Sequence, residues 1–286
     1  MSIVKTPAFF TLSTLVCLLA LNSSVAAQSL ALPEDSNWQL SLAVGAGVRT
    51  NPVMDNDNIP LIVIPQVSYQ GERFFIQNLD FGYSVLEDDN QQINLLLTPS
   101  YDQVFFNESG VNNFIDTSEF ANATKSAPTV ELVSDAIDKG RLHKRRMAAL
   151  AGIEYSQTVQ GFDVQLQALR EITRYYHGNE VRVAFSKGIN LGKNDVKLTL
   201  GANWQDAATL NYFYGITETE ASNNLSYRPD SGVTTLLRFD WSYEVDEHWS
   251  LRFFTSYRHL GRSISNSPLV TSDNVVTAFA GGVYHF

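Results

Sequence analysis

His248 and Ser250, separated by Trp249, form the sharpest candidate for covalent chemistry in this 286-residue sequence. Residues two apart in an extended segment share a face, so the imidazole would sit where a base activates a nucleophile. The bland reading is a turn histidine beside an interfacial tryptophan. The loop pattern described below favours it, because it puts the pair at a tight periplasmic turn; no enzymatic role is expected. His177, His259 and His285 are scattered without HExxH or Cys/His spacing, and no glycine-rich phosphate loop is present. Neither a metal site nor a cofactor is therefore expected.

The second candidate is basic. Arg141, His143, Lys144 and Arg145, followed by Arg146, lead from a long polar stretch into an alternating one. Guanidinium and ammonium groups pair well with phosphate oxygens, so the cluster reads as a contact for lipopolysaccharide phosphates. Neutralisation of loop carboxylates such as Asp135 and Asp138 is an equally open reading. Thr217-Glu218-Thr219-Glu220 fits a capping box, and Asn211 to Ala221 is expected as a short helix or ordered loop. Its aromatic run could fold inward as a plug or stand outward as a contact patch; the structural use is favoured.

The elements that position these residues follow from composition and period. Lys5, the apolar run Phe9 to Leu21 and the small-residue stretch Asn22 to Ala27 have the order of a secretory signal peptide, cleaved after Ala27. The apolar run is short of the ~20 residues a spanning helix needs. This assigns residues 1–27 to the leader and 28–286 to one domain. Cys17, the single cysteine, falls in the leader, which leaves the mature chain without disulfide or thiolate chemistry. Aromatic residues make up 12% of the sequence and charged ones 17%, against the ~25% usual in soluble domains. The net charge of −10 argues against nucleic-acid binding.

Period-two alternation recurs along the chain, the pattern of strands with two unlike faces. Trp38, Leu40, Leu42, Val44, Ala46 and Val48 alternate with Gln39, Ser41, Ala43, Gly45, Gly47 and Arg49. Similar segments run from Ile93, Phe162, Val196 and Val233. Their apolar faces are long enough for a tilted strand to cross hydrocarbon. Aromatic residues such as Trp38, Tyr101, Tyr155, Trp204, Tyr243, Trp249 and Tyr257 stand near their ends as interfacial girdles. Charges occupy the opposite faces: Arg49, Asp102, Arg146, Glu154, Arg182, Arg238, Asp240, Arg252 and Arg258. An apolar outside around a charged inside demands a closed sheet, because lipid offers no partner to an open strand edge.

Tight turns at Val159 to Gly161, Gly192 to Asp195 and Val245 to His248 alternate with long polar loops at Asn107 to His143, Asp206 to Pro229 and Gly261 to Ser272, with Tyr176 to Asn179 the short exception. Short periplasmic turns opposite long external loops are the usual asymmetry of such barrels. Eleven strand stretches are clear, and an even number is required. The twelfth is expected within Arg73 to Leu86, split near Gln77-Asn78. The fold class is thus an all-β, transmembrane, antiparallel up-and-down barrel of twelve strands, with ten as the alternative.

From about Trp38 to Phe286 the chain resembles the family of MltA-interacting protein and OmpV. The resemblance rests on Asn211-Tyr212-Phe213-Tyr214-Gly215-Ile216, on Leu260-Gly261 followed by Asn266-Ser267-Pro268-Leu269-Val270, and on the closing Gly282-Val283-Tyr284-His285-Phe286. Tyr214 is an extra residue before the glycine, and Asn266 replaces the usual Asp. The terminal Phe286 resembles the signal read by the barrel-assembly machinery. The resemblance implies an outer-membrane location among lipid and lipopolysaccharide. It also implies a scaffold role toward a lytic murein transglycosylase and a murein synthase. A small pore for solutes is the alternative, since interior arginines facing carboxylates resemble a selectivity lining.

Overall fold

Twelve segments of alternating character become twelve strands, each turning one face to lipid. The structure, a computed structural model, describes residues 37–54, 56–88, 90–106, 143, 145–220 and 226–286. The leader expected over residues 1–27, and Arg141, Lys144, Asp135 and Asp138, lie outside these residues. The strands are β1 (Trp38–Arg49), β2 (Ile59–Gln70), β3 (Phe74–Gln77), β4 (Asp80–Asp88), β5 (Gln91–Pro99) and β6 (Ala149–Val159). They continue as β7 (Phe162–Glu171), β8 (Asn179–Leu191), β9 (Asn194–Gln205), β10 (Gly232–Glu244), β11 (Trp249–His259) and β12 (Asn274–His285). Each pairs antiparallel with its neighbours, and β1 closes on β12 from Ser41↔His285 to Arg49↔Thr277. No backbone edge is left at that closure, as hydrocarbon requires.

The faces follow the alternation. On β1, Trp38, Leu40, Val44 and Val48 are exposed while Ala43 and Arg49 are buried. Leu95, Ile153, Phe185, Leu200, Leu237 and Leu251 continue the exposed apolar belt around the barrel. Trp38 against Tyr69 and Trp249 against Tyr284, with ring centroids 4.8 and 5.1 Å apart, mark the rim that carries the short turns. That rim is the periplasmic one by its turn lengths.

The strand hidden in Arg73 to Leu86 is the β3–β4 hairpin. It turns at Asn78, whose φ of 55° is the left-handed conformation an asparagine tolerates. β3 reaches β2 through only three residue pairs, Ser68↔Gln77, Tyr69↔Ile76 and Gln70↔Phe75. Asn78 adds one more rung, its N–H donating to Val67 O at 2.7 Å and its Oδ1 accepting from Val67 N at 2.9 Å. The next β2 residue turned to that side is Pro65, which has no N–H to leave unpaired. Across the hairpin, the Phe75 ring lies over Gly82 on the inner face; a Cβ at Gly82 would come within 1.9 Å of that ring.

The interior is two-sided. Ala43, Leu61, Ile64, Phe254, Phe279 and Val283 pack as an apolar cluster along β1, β2, β11 and β12. Phe254 stacks on Phe279 at 5.6 Å, and the Arg238 guanidinium lies 4.7 Å from the Phe254 ring centre. Arg238 also forks onto Asp240 with contacts of 2.7 and 2.6 Å, so the charges expected inside this wall are hydrogen-bonded there. The rest of the inner wall borders a polar cavity.

Two interior expectations need correction. Tyr101 is not an interfacial ring: the chain leaves β5 at Pro99 into a 3₁₀ helix, Tyr101–Phe106, and its hydroxyl donates to Asp80 at 2.6 Å. Arg146 does not face the lumen: it precedes β6, is exposed, and lies over the Tyr175 ring at 5.9 Å.

Candidate functional site

A short helix packs inward at the end of the barrel that carries the long loops. Asp206 follows β9 and caps α1 (Ala207–Tyr214), accepting from Thr209 N at 2.9 Å, while its second oxygen accepts from the backbone and side-chain nitrogens of Asn179 at 2.8 and 2.7 Å. One carboxylate thus starts the helix and ties it to the start of β8. The spacing of Thr209, Leu210, Phe213 and Tyr214 puts all four on one helix face, and all four are buried. Leu210, Phe213 and Tyr214 are fully buried against Val53, Phe105, Leu260, Ile264 and Val275. These residues come from the 3₁₀ helix, the β1–β2 loop, the segment around α2 (Arg262–Ser265) and the start of β12. The aromatic run is therefore a plug, as the favoured sequence reading expected.

The helix lies upstream of where the capping box suggested. Thr217 and Glu220 do form reciprocal contacts, Thr217 N and Oγ1 both donating to Glu220 Oε2 at 2.8 and 2.7 Å and Glu220 N donating to Thr217 O at 3.0 Å, but they close an isolated turn after α1. Glu220 Oε1 then receives His143 N at 2.8 Å and faces His143 Nδ1 at 2.5 Å. Burial alone would raise the Glu220 pKa; the donors from His143 and Thr217 outweigh it and hold the carboxyl at about 2. The turn is thereby fastened to the segment that enters β6.

Arg145, expected to contact phosphate, is turned inward instead and is only 6% exposed. Its Nε donates to Phe213 O at 2.6 Å, Nη2 to Gly215 O at 3.1 Å and Nη1 to His143 O at 3.2 Å. A planar cation with several donors suits the end of a helix, where carbonyls lack intrahelical partners. Burial lowers its pKa from the ordinary guanidinium value, against the opposing influence of Glu220. Tyr212 stacks on Tyr176 at 4.8 Å, and its hydroxyl receives Arg146 N at 2.7 Å, which extends the same anchor outward.

The His248–Ser250 pair is not assembled. Ser250 Oγ lies 2.9 Å from His285 Nε2, whereas His248 Nδ1 faces His285 O at 3.3 Å and its ring stacks on Tyr284. His248 precedes β11, in a turn where Asp246 accepts from the backbone N–H of His248 and Trp249, which hold its carboxyl below the usual range. No cluster of three or more His, Cys, Asp or Glu able to hold a metal occurs among the described residues.

Beneath the plug is a cavity of about 440 Å³, bounded by β2 to β11. It runs from Glu87 and Gln92, one residue pair from the β4–β5 turn, up to Asp102 and Arg258. Glu154 is central to its wall, with Asn94 Nδ2 donating to Oε1 at 2.9 Å and Gln165 and Gln167 amides donating to Oε2 at 2.8 and 2.6 Å. Glu180 pairs with Arg182 at 3.0 Å on β8, two strands along. The alternation puts Glu154 and Arg182, and with them Asn94, Gln165 and Gln167, on the inward faces, but does not show that the three amides meet on Glu154.

A lipid-facing apolar belt, aromatic rims, short turns opposite long loops and a charged interior define an outer-membrane β-barrel. Residues 42–286 match the family of MltA-interacting protein MipA, and the chain belongs to that family. It is 25% identical over 211 residues to outer membrane protein Omp26La of Vibrio anguillarum, covering 71% of this chain and 82% of that one. It is equally similar, 25% over 211 residues with the same coverage, to outer membrane protein OmpV of Vibrio cholerae. The MltA-interacting protein of Escherichia coli is 21% identical over 252 residues, 87% of this chain and 90% of that one. Among solved structures, the NanC porin superposes with a TM-score of 0.45 at 7% identity, over 86% of this chain and 99% of that one.

Proposed function

We propose that this barrel is a sealed structural element of the outer membrane, whose periplasmic rim is a scaffold for murein-remodelling enzymes. The observation that carries the reading is the plug: Leu210, Phe213 and Tyr214 lie fully buried across the external mouth, anchored at both helix ends. A barrel built to pass solutes gains nothing from so firm a closure. The name of the Escherichia coli relative records an interaction with MltA, and the reading extends it here to a lytic murein transglycosylase and, with it, a murein synthase. The turns at Gly192 and Lys193 and at Val245 to His248 are the surfaces such partners would meet.

The same reading takes in signal-peptide cleavage after Ala27, recognition of Phe286 by the barrel-assembly machinery, and insertion among lipopolysaccharide. Of the four basic residues assigned to lipopolysaccharide phosphates, Arg141 and Lys144 stay in the proposal, since Arg145 already serves the plug and both ring nitrogens of His143 meet Glu220 and Tyr212 O. The second reading, a small permeation route, is favoured by the luminal cavity. Planar-bilayer recording separates the two. The purified barrel is expected to be electrically silent, and a photo-crosslinker at Lys193 to capture a murein hydrolase in cells. Stable ohmic steps from the unmodified protein would overturn the scaffold reading in favour of the pore.

A further inference from the structure

We propose that the external end of β6, β7 and β8 carries a site for a phosphorylated glycolipid of the outer leaflet, gripped from the lipid side by Arg146, Arg170 and Arg174. The inference rests on the reading that the long loops face outward and that the chain sits among lipopolysaccharide. It differs from the phosphate contacts at Arg141 and Lys144, because its anchor is a charge on the lipid-facing wall.

Arg170 is that charge. It alternates with Leu169 and Glu171, both buried inside, and so shares the outward face of β7 with the exposed Phe162, Leu166 and Ile172. Its ladder partners are Ala151 on β6 and Asn179 on β8. Ile172, apolar and exposed, stands two residues nearer the external rim, so the Arg170 side chain leaves the sheet inside the apolar belt. An arginine survives there when its stem lies along hydrocarbon and its head reaches the interface. Val48, Leu97, Trp204, Val233 and Tyr257 hold the corresponding places on other strands, and no second Arg or Lys does so among the described residues.

The other two arginines meet the same stretch of rim. Arg146 is exposed just before β6, beside the lipid-facing Met147, and its guanidinium lies 5.9 Å from the centre of the Tyr175 ring. Arg174 is exposed next to Tyr175 in the β7–β8 loop. That loop is held at its base, where Glu171 accepts from Tyr175 N and Tyr176 N at 3.3 Å and from His177 N at 2.8 Å. Ile172 N donates to Ala149 O at 3.0 Å and closes the loop against the start of β6. Arg174 and His177 keep left-handed φ values of 65° and 56°, which non-glycine residues hold only where the surroundings fix them. Among the described residues none of the three arginines enters an ion pair, whereas Arg182, Arg238 and Arg252 each reach a carboxylate inside the barrel.

Three guanidinium groups without a counter-charge fit a phosphate monoester, which carries more than one negative charge and accepts paired N–H donors from the planar fork. Position selects the source. Arg170 leaves the wall toward lipid, so phosphate dissolved in water reaches Arg174 but not the anchor. An acidic peptide fails for the same reason. A phosphate carried at the boundary of acyl chain and headgroup meets all three, and a sugar ring bearing it meets Tyr175, which is 43% exposed at that level.

The test uses the full-length barrel refolded in a neutral detergent, with diphosphoryl lipid A as probe and native mass spectrometry as readout. One lipid A is expected on each wild-type barrel, retained at least about tenfold more than phosphatidylglycerol, whose phosphodiester carries a single charge. Arg170→Leu puts an apolar residue on the lipid face, so heat-modifiable gel mobility is expected to stay unchanged. The same variant is expected to weaken lipid A binding by about threefold to tenfold, and the pair Arg170→Leu and Arg146→Gln by about thirtyfold or more. A wild type that retains no lipid A, a folded double variant that retains it as well as wild type, or displacement of lipid A by an equal concentration of inorganic phosphate would overturn the proposal. Labelling of Arg174→Cys on intact cells by a membrane-impermeant maleimide reports the orientation separately. Labelling with unchanged lipid A binding in the double variant defeats this proposal alone; absence of labelling defeats the orientation it rests on as well.

Discussion

Arg145 shows how one side chain can be read two ways until its partners are known. From the sequence it is one of a run of cations entering a strand, and phosphate is the natural partner. In the fold it donates to three backbone carbonyls, of which Phe213 O and Gly215 O belong to the end of α1. Hydrogen bonds from a charged group are worth about 1.5–3 kcal/mol each, and the guanidinium's own desolvation offsets part of that sum. Arg145→Met keeps the length and removes the donors, so α1 is expected to loosen by about 2–3 kcal/mol while the strands stay intact. Hydrogen exchange of the 207–215 amides, compared with that of β9 and β10, is the measurement. Equal protection in variant and wild type would show that apolar packing alone seats the plug.

At the scale of the element, α1 and the turn after it show where pattern reading succeeds and where it stops. The aromatic run Tyr212-Phe213-Tyr214 was legible as a candidate plug because so many large rings rarely serve a free loop. The start of the helix was not, because Thr217 and Glu220 offer a capping signal as good as that of Asp206. Only packing of Leu210 and Phe213 in the barrel mouth decides which signal is used. The turn at Glu220 makes the closure acid-sensitive. Its folded carboxyl pKa, about 2, lies below the ordinary 4.5, so its contribution is present above about pH 4.5 and is lost as the pH falls toward 2. Pepsin cleavage within residues 207–220 should therefore rise between pH 4.5 and pH 2, and Glu220→Gln should already show the faster rate at pH 4.5. Cleavage that is flat across this interval in the wild type would remove Glu220 as the fastening.

The same limit appears in β3. Four residues pairing with β2 at three positions are too short to give a periodic signal, and the strand was expected from the need for an even count. Its turn could be placed at Gln77-Asn78 because asparagine tolerates the left-handed conformation found there.

For the whole molecule, the governing fact is that the solvent lies on both sides of the sheet but differs between them. Leu200, at the middle of β9, is 53% exposed, while its neighbour Thr199 is buried inside. In water such a leucine would be a liability; in hydrocarbon it is the favourable residue. Leu200→Arg should destabilise the barrel by about 2–4 kcal/mol, the range found for arginine near the bilayer midplane. Denaturant unfolding in lipid vesicles measures it, and a change below the scatter of neutral substitutions would mean that this face does not meet lipid.

The sequence by itself determined the alternating faces, the aromatic rims and the short-turn rim, because each depends on neighbours one to four residues away. Tertiary structure alone decided which inward groups meet. Arg145 and Phe213 are 68 residues apart, Asn94 and Glu154 are 60, and Gln205 and Asp102 are 103. Period-two alternation says that a side chain enters the lumen, but closure of the barrel sets which other side chain it finds there. The cavity arises from that closure and has no local signature, whereas the aromatic run of the plug was legible and only its seating was not.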